Sequence, residues 1–137
     1  MFELHPQLAN GGKIIIDLPL CQVLLVNDSL YPWLILVPRR EGISEAFQLK
    51  MADQDQLSKE SCLVAKVMAG FFNADKMNIA ALGNVVPQLH VHHIVRYRND
   101  PAWPKPVWGE VVAVPYEYLE FEDRVQKMRQ LLTTIEF

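Results

Sequence analysis

The chain has 137 residues, 50% apolar and 21% charged, which excludes a disordered chain and gives one domain enough material to bury a core. Thirteen basic against sixteen acidic residues leave a net charge of −3, which offers no ground for a nucleic-acid groove or an anionic membrane surface. Cys21 and Cys62 are too few and too far apart for a zinc knuckle or a CxxC pair, and no apolar run is long enough to span a bilayer.

The opening residues, MFELHPQLANGG, lack the basic and apolar regions of a signal peptide, so a soluble cytoplasmic protein is expected. They read as a short helix or an irregular lead-in that turns at Gly11–Gly12. Three short apolar runs follow: Ile14 to Leu18, Cys21 to Val26 and Trp33 to Val37. Pro19, Asn27-Asp28-Ser29 and Pro38 break them, so they predict adjacent antiparallel strands.

From Ser44 the period changes. Ser44 reads as the cap of one or two helical turns. Leu57, Ser61, Val64, Val67/Met68 and Phe71 then predict an amphipathic helix of about fifteen residues, closed near Asn73. Met77 to Leu82 and Leu89 to Val95 read as strands with a turn at Gly83–Asn84. Asn99 to Pro106 reads as a loop, and Val107 to Val114 as strand-like. A final helix carries the stripe Leu119 or Phe121, Val125, Met128 and Leu132. The order predicts an α+β fold, a mainly antiparallel sheet of five or six strands with two main helices against one face.

The chemistry concentrates between Lys76 and Trp108, which holds three of the four histidines. On a strand, Gln88, His90 and His92 project to one face, while Leu89, Val91 and His93 point to the other. An imidazole acts as nucleophile or base near neutrality without special tuning, and the neutral donors Gln88, His92 and Asn84 suit the oxygens of a phosphoryl group. A phosphohistidine intermediate is therefore physically reasonable at His90. The rival reading is a metal held by His90 and His92, with His5 or Asp100 completing the shell, weakened by the lack of a third ligand at short range. The bland reading is well-bonded sheet histidines, and for His93 it is the favoured one: a ring that packs or hydrogen-bonds against a helix. Asn78 reads equally as a site residue and as an ordinary strand residue. Arg96 either binds a phosphate or pairs with Asp100 at the surface. Trp33, Trp103 and Trp108 offer flat walls for a nucleobase, though each is more often core or interface.

The stretch VPQLHVHHIVR, Val86 to Arg96, resembles the histidine triad (HIT) family of nucleotide hydrolases and transferases, whose signature is His-φ-His-φ-His-φ-φ. NIAALGN (Asn78 to Asn84) and DPAWPKPVW (Asp100 to Trp108) look like segments of its bacterial diadenosine tetraphosphate hydrolase-like members. The resemblance implies a HIT-like fold over most of the chain, and a nucleotide hydrolase or transferase cleaving at the α-phosphate of dinucleoside polyphosphates or nucleoside phosphoramidates. By it, His90 is the nucleophile, His92 binds phosphate oxygens, Asn84 contacts the phosphate or leaving group, and Asn78 orients the triad. It places the nucleoside near Leu25–Asp28, Asp28 included, and Leu34–Leu36. It implies a homodimer, a small nucleotide as ligand, no cofactor and no metal on the triad. Two departures stand out. Gln88 occupies the first histidine's place and cannot relay a proton, although it can still hold His90 or its loop by a hydrogen bond. Pro38, Arg39, Arg40 and Glu41 stand where many members carry an upstream histidine. Both weaken the triad, so the alternative is a nucleotide-binding protein with little or no catalysis.

Overall fold

The computed structural model describes residues 1–137. A short helix, α1 (Pro6–Asn10), starts with proline in its first turn and the His5 ring accepting the Gln7 N–H. Strands β1 (Gly12–Asp17), β2 (Cys21–Val26) and β3 (Trp33–Pro38) follow. Then come α2 (Met51–Phe72), β4 (Lys76–Ala80), β5 (Val91–Arg96) and α3 (Tyr118–Thr133). The strands form one antiparallel sheet in the order β1-β2-β3-β5-β4, so β3 and β5, far apart in sequence, meet at its centre.

Strand alternation gives the sheet two buried faces. Cys21, Val23 and Leu25 of β2, Leu34 and Leu36 of β3 and Val95 of β5 pack against Leu57, Val64 and Met68 of α2 and Val125, Met128 and Leu132 of α3. Leu24, Trp33, Ile35, Val37 and Ile94 point the other way, beneath Leu8 of α1 and the loop residues Val86, Ala102 and Val107. At Gly12, where α1 gives way to β1, the backbone runs so close to β2 that a Cβ would collide with the Leu25 carbonyl. The path of the N-terminal segment over the second face is therefore set by a residue without a side chain.

Several expectations change. Helix α2 runs for 22 residues, because its polar first turn is helical too, with Asp53 near the positive end of the helix dipole. Its buried stripe is Leu57, Glu60, Val64 and Met68, whereas Ser61 looks toward β5. The Glu60 carboxylate accepts the backbone N–H groups of Leu20 (2.8 Å) and Cys21 (2.9 Å) and the Gln56 amide (2.7 Å), closing the β1–β2 turn from beneath. Ahead of α2 there is only a 3-10 turn, Ala46–Gln48, capped by Glu45 rather than Ser44. Asn73 ends α2 in the left-handed conformation, at φ 51°.

Val107 to Val114 forms no strand. It is rich in valine and alternates only imperfectly, no neighbouring strand is there to pair with it, and Val112 is 87% exposed. The segment is pinned at its end, where Ser29 N–H donates to the Val114 carbonyl at 2.7 Å and Tyr116 N–H to Asn27 Oδ1 at 2.9 Å. In α3 the stripe begins at Phe121, and Leu119 is exposed. No helix is long and apolar enough to cross a membrane.

Candidate active site

Residues 81–90 connect β4 to β5, turning at Gly83 with φ +75° and anchored where the Leu89 N–H donates to the Ile43 carbonyl. His90 sits at the end of this connection and His92 is the second residue of β5. The two rings lie edge to face with centroids 5.0 Å apart, so His92 and not His93 is the ring beside His90. Directly across the strands, His92 is opposite Ile35 of β3 and the small Ala80 of β4.

Hydrogen bonds assign the two rings opposite tautomers. Nδ1 of His90 lies 2.7 Å from the Gln88 carbonyl oxygen. A carbonyl only accepts, so this nitrogen carries the proton and Nε2 holds the lone pair. Nδ1 of His92 faces the indole Nε1 of Trp33 at 3.0 Å. An indole N–H only donates, so here Nδ1 holds the lone pair and Nε2 carries the proton. Neither Nε2 bonds to the protein, and neither is sealed off from solvent, since Gln22 Oε1 and Tyr31 Oη are the only fully enclosed side-chain polar atoms without partners. The pair therefore offers one nucleophilic nitrogen and one N–H donor side by side. Burial first, then the charges of His90 and His93, pulls the His92 pKa down to about 4, so it stays neutral at physiological pH.

Aromatic rings enclose His92. Trp108 packs edge to face against it at 5.0 Å, and Trp33 lies at 5.6 Å. An apolar cavity of about 160 Å³ opens beside them, lined by Leu8 of α1, Leu24 and Val26 of β2, and Trp33, Ile35 and His92. His93 points to the helical face, where its Nε2 meets Ser61 Oγ of α2 at 2.7 Å and its Nδ1 the Val91 carbonyl at 3.0 Å. It is fully buried, and burial lowers its pKa to about 4.

The HIT domain family profile matches residues 7–99. The chain belongs to the histidine triad family. Among solved structures of the family, a histidine triad protein from Marinobacter aquaeolei VT8 is 48% identical over 99% of both chains, with a TM-score of 0.95. Another, from Bradyrhizobium japonicum, is 43% identical over 94% of this chain and 96% of its own, with a TM-score of 0.91. At 16% identity, the fold is shared with a diadenosine triphosphate hydrolase from Plasmodium falciparum, over 88% of this chain and 76% of that one, with a TM-score of 0.66. No curated protein matches the chain.

Within this HIT domain the expected site residues divide. His90 and His92 come together. Gln88 contributes its backbone carbonyl to His90, but its side chain turns away: Oε1 accepts the His5 N–H and Nε2 donates to the Glu3 carbonyl, both at 2.8 Å. Of the two expected roles for Gln88, holding His90 falls to its main chain, while its side chain ties the connection that carries His90 to the N-terminal segment. Of the segments expected to hold the nucleoside, Val26 and Ile35 line the cavity, whereas Leu25, Leu34 and Leu36 face the helices. Asp28 is buried in the β2–β3 turn, where Oδ1 accepts the Leu30 N–H at 3.0 Å. Asn84 is exposed on the connection, and its amide makes no hydrogen bond within the protein.

Arg96 and Asn78 lie farther along the sheet. Arg96 does pair with Asp100, but in the interior rather than at the surface, and it is 1% exposed. Its guanidinium donates to both Asp100 carboxylate oxygens, to Asn78 Oδ1 (2.7 Å) and to the Lys105 carbonyl (2.8 Å), with Tyr31 and Trp103 packed against it. A phosphate would have to displace these partners, so the expected phosphate contact is replaced by a clamp on residues 99–108, the loop that delivers Trp108 to His92. Burial raises the Asp100 pKa, but hydrogen bonds from Arg96 and from the Tyr97 and Trp103 N–H groups outweigh it and leave the carboxyl lowered. No three His, Cys, Asp or Glu side chains converge in the manner of a metal cage. Sequence reading missed Trp33 as the partner of His92; an indole on the same face of a neighbouring strand was the available signal.

Proposed function

We propose that this HIT protein hydrolyses a nucleoside 5′-phosphate ester, anhydride or phosphoramidate through a nucleotidyl-histidine at His90. The observation that carries the reading is the pair of opposite tautomers. Nε2 of His90 attacks the α-phosphorus while the bond to the leaving oxygen or nitrogen breaks, and the leaving group takes its proton from water. Positive charge on the modified ring is relieved through Nδ1–H, which stays bonded to the Gln88 carbonyl. The Nε2–H of His92 donates to a non-bridging phosphoryl oxygen where negative charge builds up. Water then attacks the phosphorus, releases the nucleoside monophosphate and restores His90. The nucleoside occupies the apolar cavity beside Trp33, with Asp28 and Asn84 as further contacts. Dinucleoside polyphosphates, as in the diadenosine tetraphosphate hydrolase-like subgroup, and amino-linked nucleotides are the substrate classes.

The protein acts as a homodimer in this reading. The outer edge of β4 is free, and Ile79, Leu82 and Phe71 nearby are exposed, which supports strand addition from a second copy. Sedimentation at micromolar concentration tests it, and a monomer would exclude it.

Release of AMP from diadenosine polyphosphates and from an adenosine phosphoramidate tests the chemistry. His90→Ala is expected to reduce the rate by about a thousandfold or more, as loss of a covalent nucleophile does. Equal rates in variant and parent would overturn the mechanism, and AMP binding without turnover in the parent would make the protein a nucleotide binder.

A further inference from the structure

Gln88 stands at a triad position, yet its side chain makes its two hydrogen bonds to the main chain of the N-terminal segment, 83 and 85 residues away. The Glu3 carbonyl and the His5 N–H sit two residues apart on one edge of that segment. A primary amide presents a donor and an acceptor side by side in one plane, so the Gln88 side chain acts as a surrogate strand partner for Glu3–His5. A single imidazole does not replace it, because its donor and acceptor nitrogens point in divergent directions and cannot both meet groups on one edge of an extended segment.

The segment held this way is the outer wall of the cavity. Immediately after His5, Pro6 starts α1, which contributes Gln7 and Leu8 to the cavity lining. Phe2, Leu4 and Leu8 pack on the same apolar cluster as Trp33 and Ile35. The main chain of Gln88 meanwhile holds Nδ1 of His90. One residue thus touches the nucleophile through its backbone and the cavity wall through its side chain.

We propose that Gln88 is a positioning residue, a latch that ties the N-terminal segment across the cavity beside His92 and so completes the nucleoside pocket. The second half rests on the nucleotide reading given above. Glutamine at this position is then a gain of pocket closure rather than a decayed proton relay, and Gln88→His opens the wall instead of restoring catalysis.

The test uses the full chain, with hydrogen exchange of individual amides and calorimetric titration of AMP. Gln88→Leu and Gln88→His are each expected to speed exchange at residues 3–8 by about tenfold and to weaken AMP binding by a similar factor, with β3 and β5 still protected as evidence of an intact fold. Gln88→Glu adds a readout that a space-filling role would not move. Ionised at about pH 8, it keeps the volume of glutamine but cannot donate to the Glu3 carbonyl, and it should resemble Gln88→Leu rather than the parent. Unchanged exchange at residues 3–8 in Gln88→Leu, or parent-like protection in Gln88→His, would overturn the latch. Faster exchange with unaltered AMP affinity would overturn pocket completion. A parent chain that binds no AMP would sink the nucleotide reading and pocket completion with it, while exchange would still decide the latch.

Discussion

The indole of Trp33 and the imidazole of His92 sit diagonally across β3 and β5, joined by a 3.0 Å bond from Nε1–H to Nδ1. That bond fixes which nitrogen of His92 faces the cleft with a proton. Trp33→Phe removes the donor and keeps most of the packing. The His92 pKa is then expected to rise above about 4, and both tautomers to appear in its ring nitrogen shifts. The unpaired Nδ1 should cost about 1–3 kcal/mol of stability, and kcat should fall about tenfold. Nitrogen NMR of the labelled ring checks the first outcome; an unshifted titration would show that the bond does not set the tautomer.

Stability should fall in mild acid. His92 and His93 titrate at about 4 in the folded chain and near the ordinary 6.5 when unfolded. Below 6.5 the unfolded state takes up protons that the folded state refuses, so their contribution is intact above that value and is lost progressively down to about 4. Each unit of depression corresponds to about 1.4 kcal/mol, so the combined loss is on the order of a few kcal/mol. Urea titrations from neutral pH to mild acid measure it, and His93→Gln should flatten the dependence.

Asp100→Ala leaves the enclosed guanidinium of Arg96 without its carboxylate. A broken buried pair costs about 3–5 kcal/mol. Because Asp100 also accepts the Ala102 and Trp103 N–H groups, the loop ending at Trp108 should loosen and tryptophan fluorescence should shift before global unfolding. Coincident transitions would contradict that separate loosening.

Glu60→Gln is nearly isosteric but puts an NH2 where the carboxylate meets three donors. The expected loss is about 1.5–3 kcal/mol, read as a lower urea midpoint with unchanged slope. Parent-like stability would mean that the turn at Leu20 does not need the anion.

The parity of β5 was legible because a period of two needs only local letters, and it put His92 on one face and His93 against a helix; Gln88 and His90 fall in the connection before the strand, so their row was only partly legible. The first three strands were legible too, since Pro19, Asn27 and Pro38 interrupt them. What failed was anything decided by a distant partner. Nothing near Gln88 announces Glu3 or His5, and Arg96–Asp100 at i,i+4 has the spacing of an ordinary surface pair. Val107 to Val114 has strand composition, and only the absence of a neighbour makes it irregular. Glu60 is a middle case: it stands three residues after Leu57 and four before Val64, on the buried stripe of α2, but the sequence reading put Ser61 there instead.

Two adjacent rings, His92 and His93, look in opposite directions from one ribbon of backbone. An insertion or deletion of one residue inside β5 ahead of them would trade their surroundings, setting the serine-bonded ring against the indole and sending the other into the helices. Alterations of length in β5 should therefore survive only in steps of two.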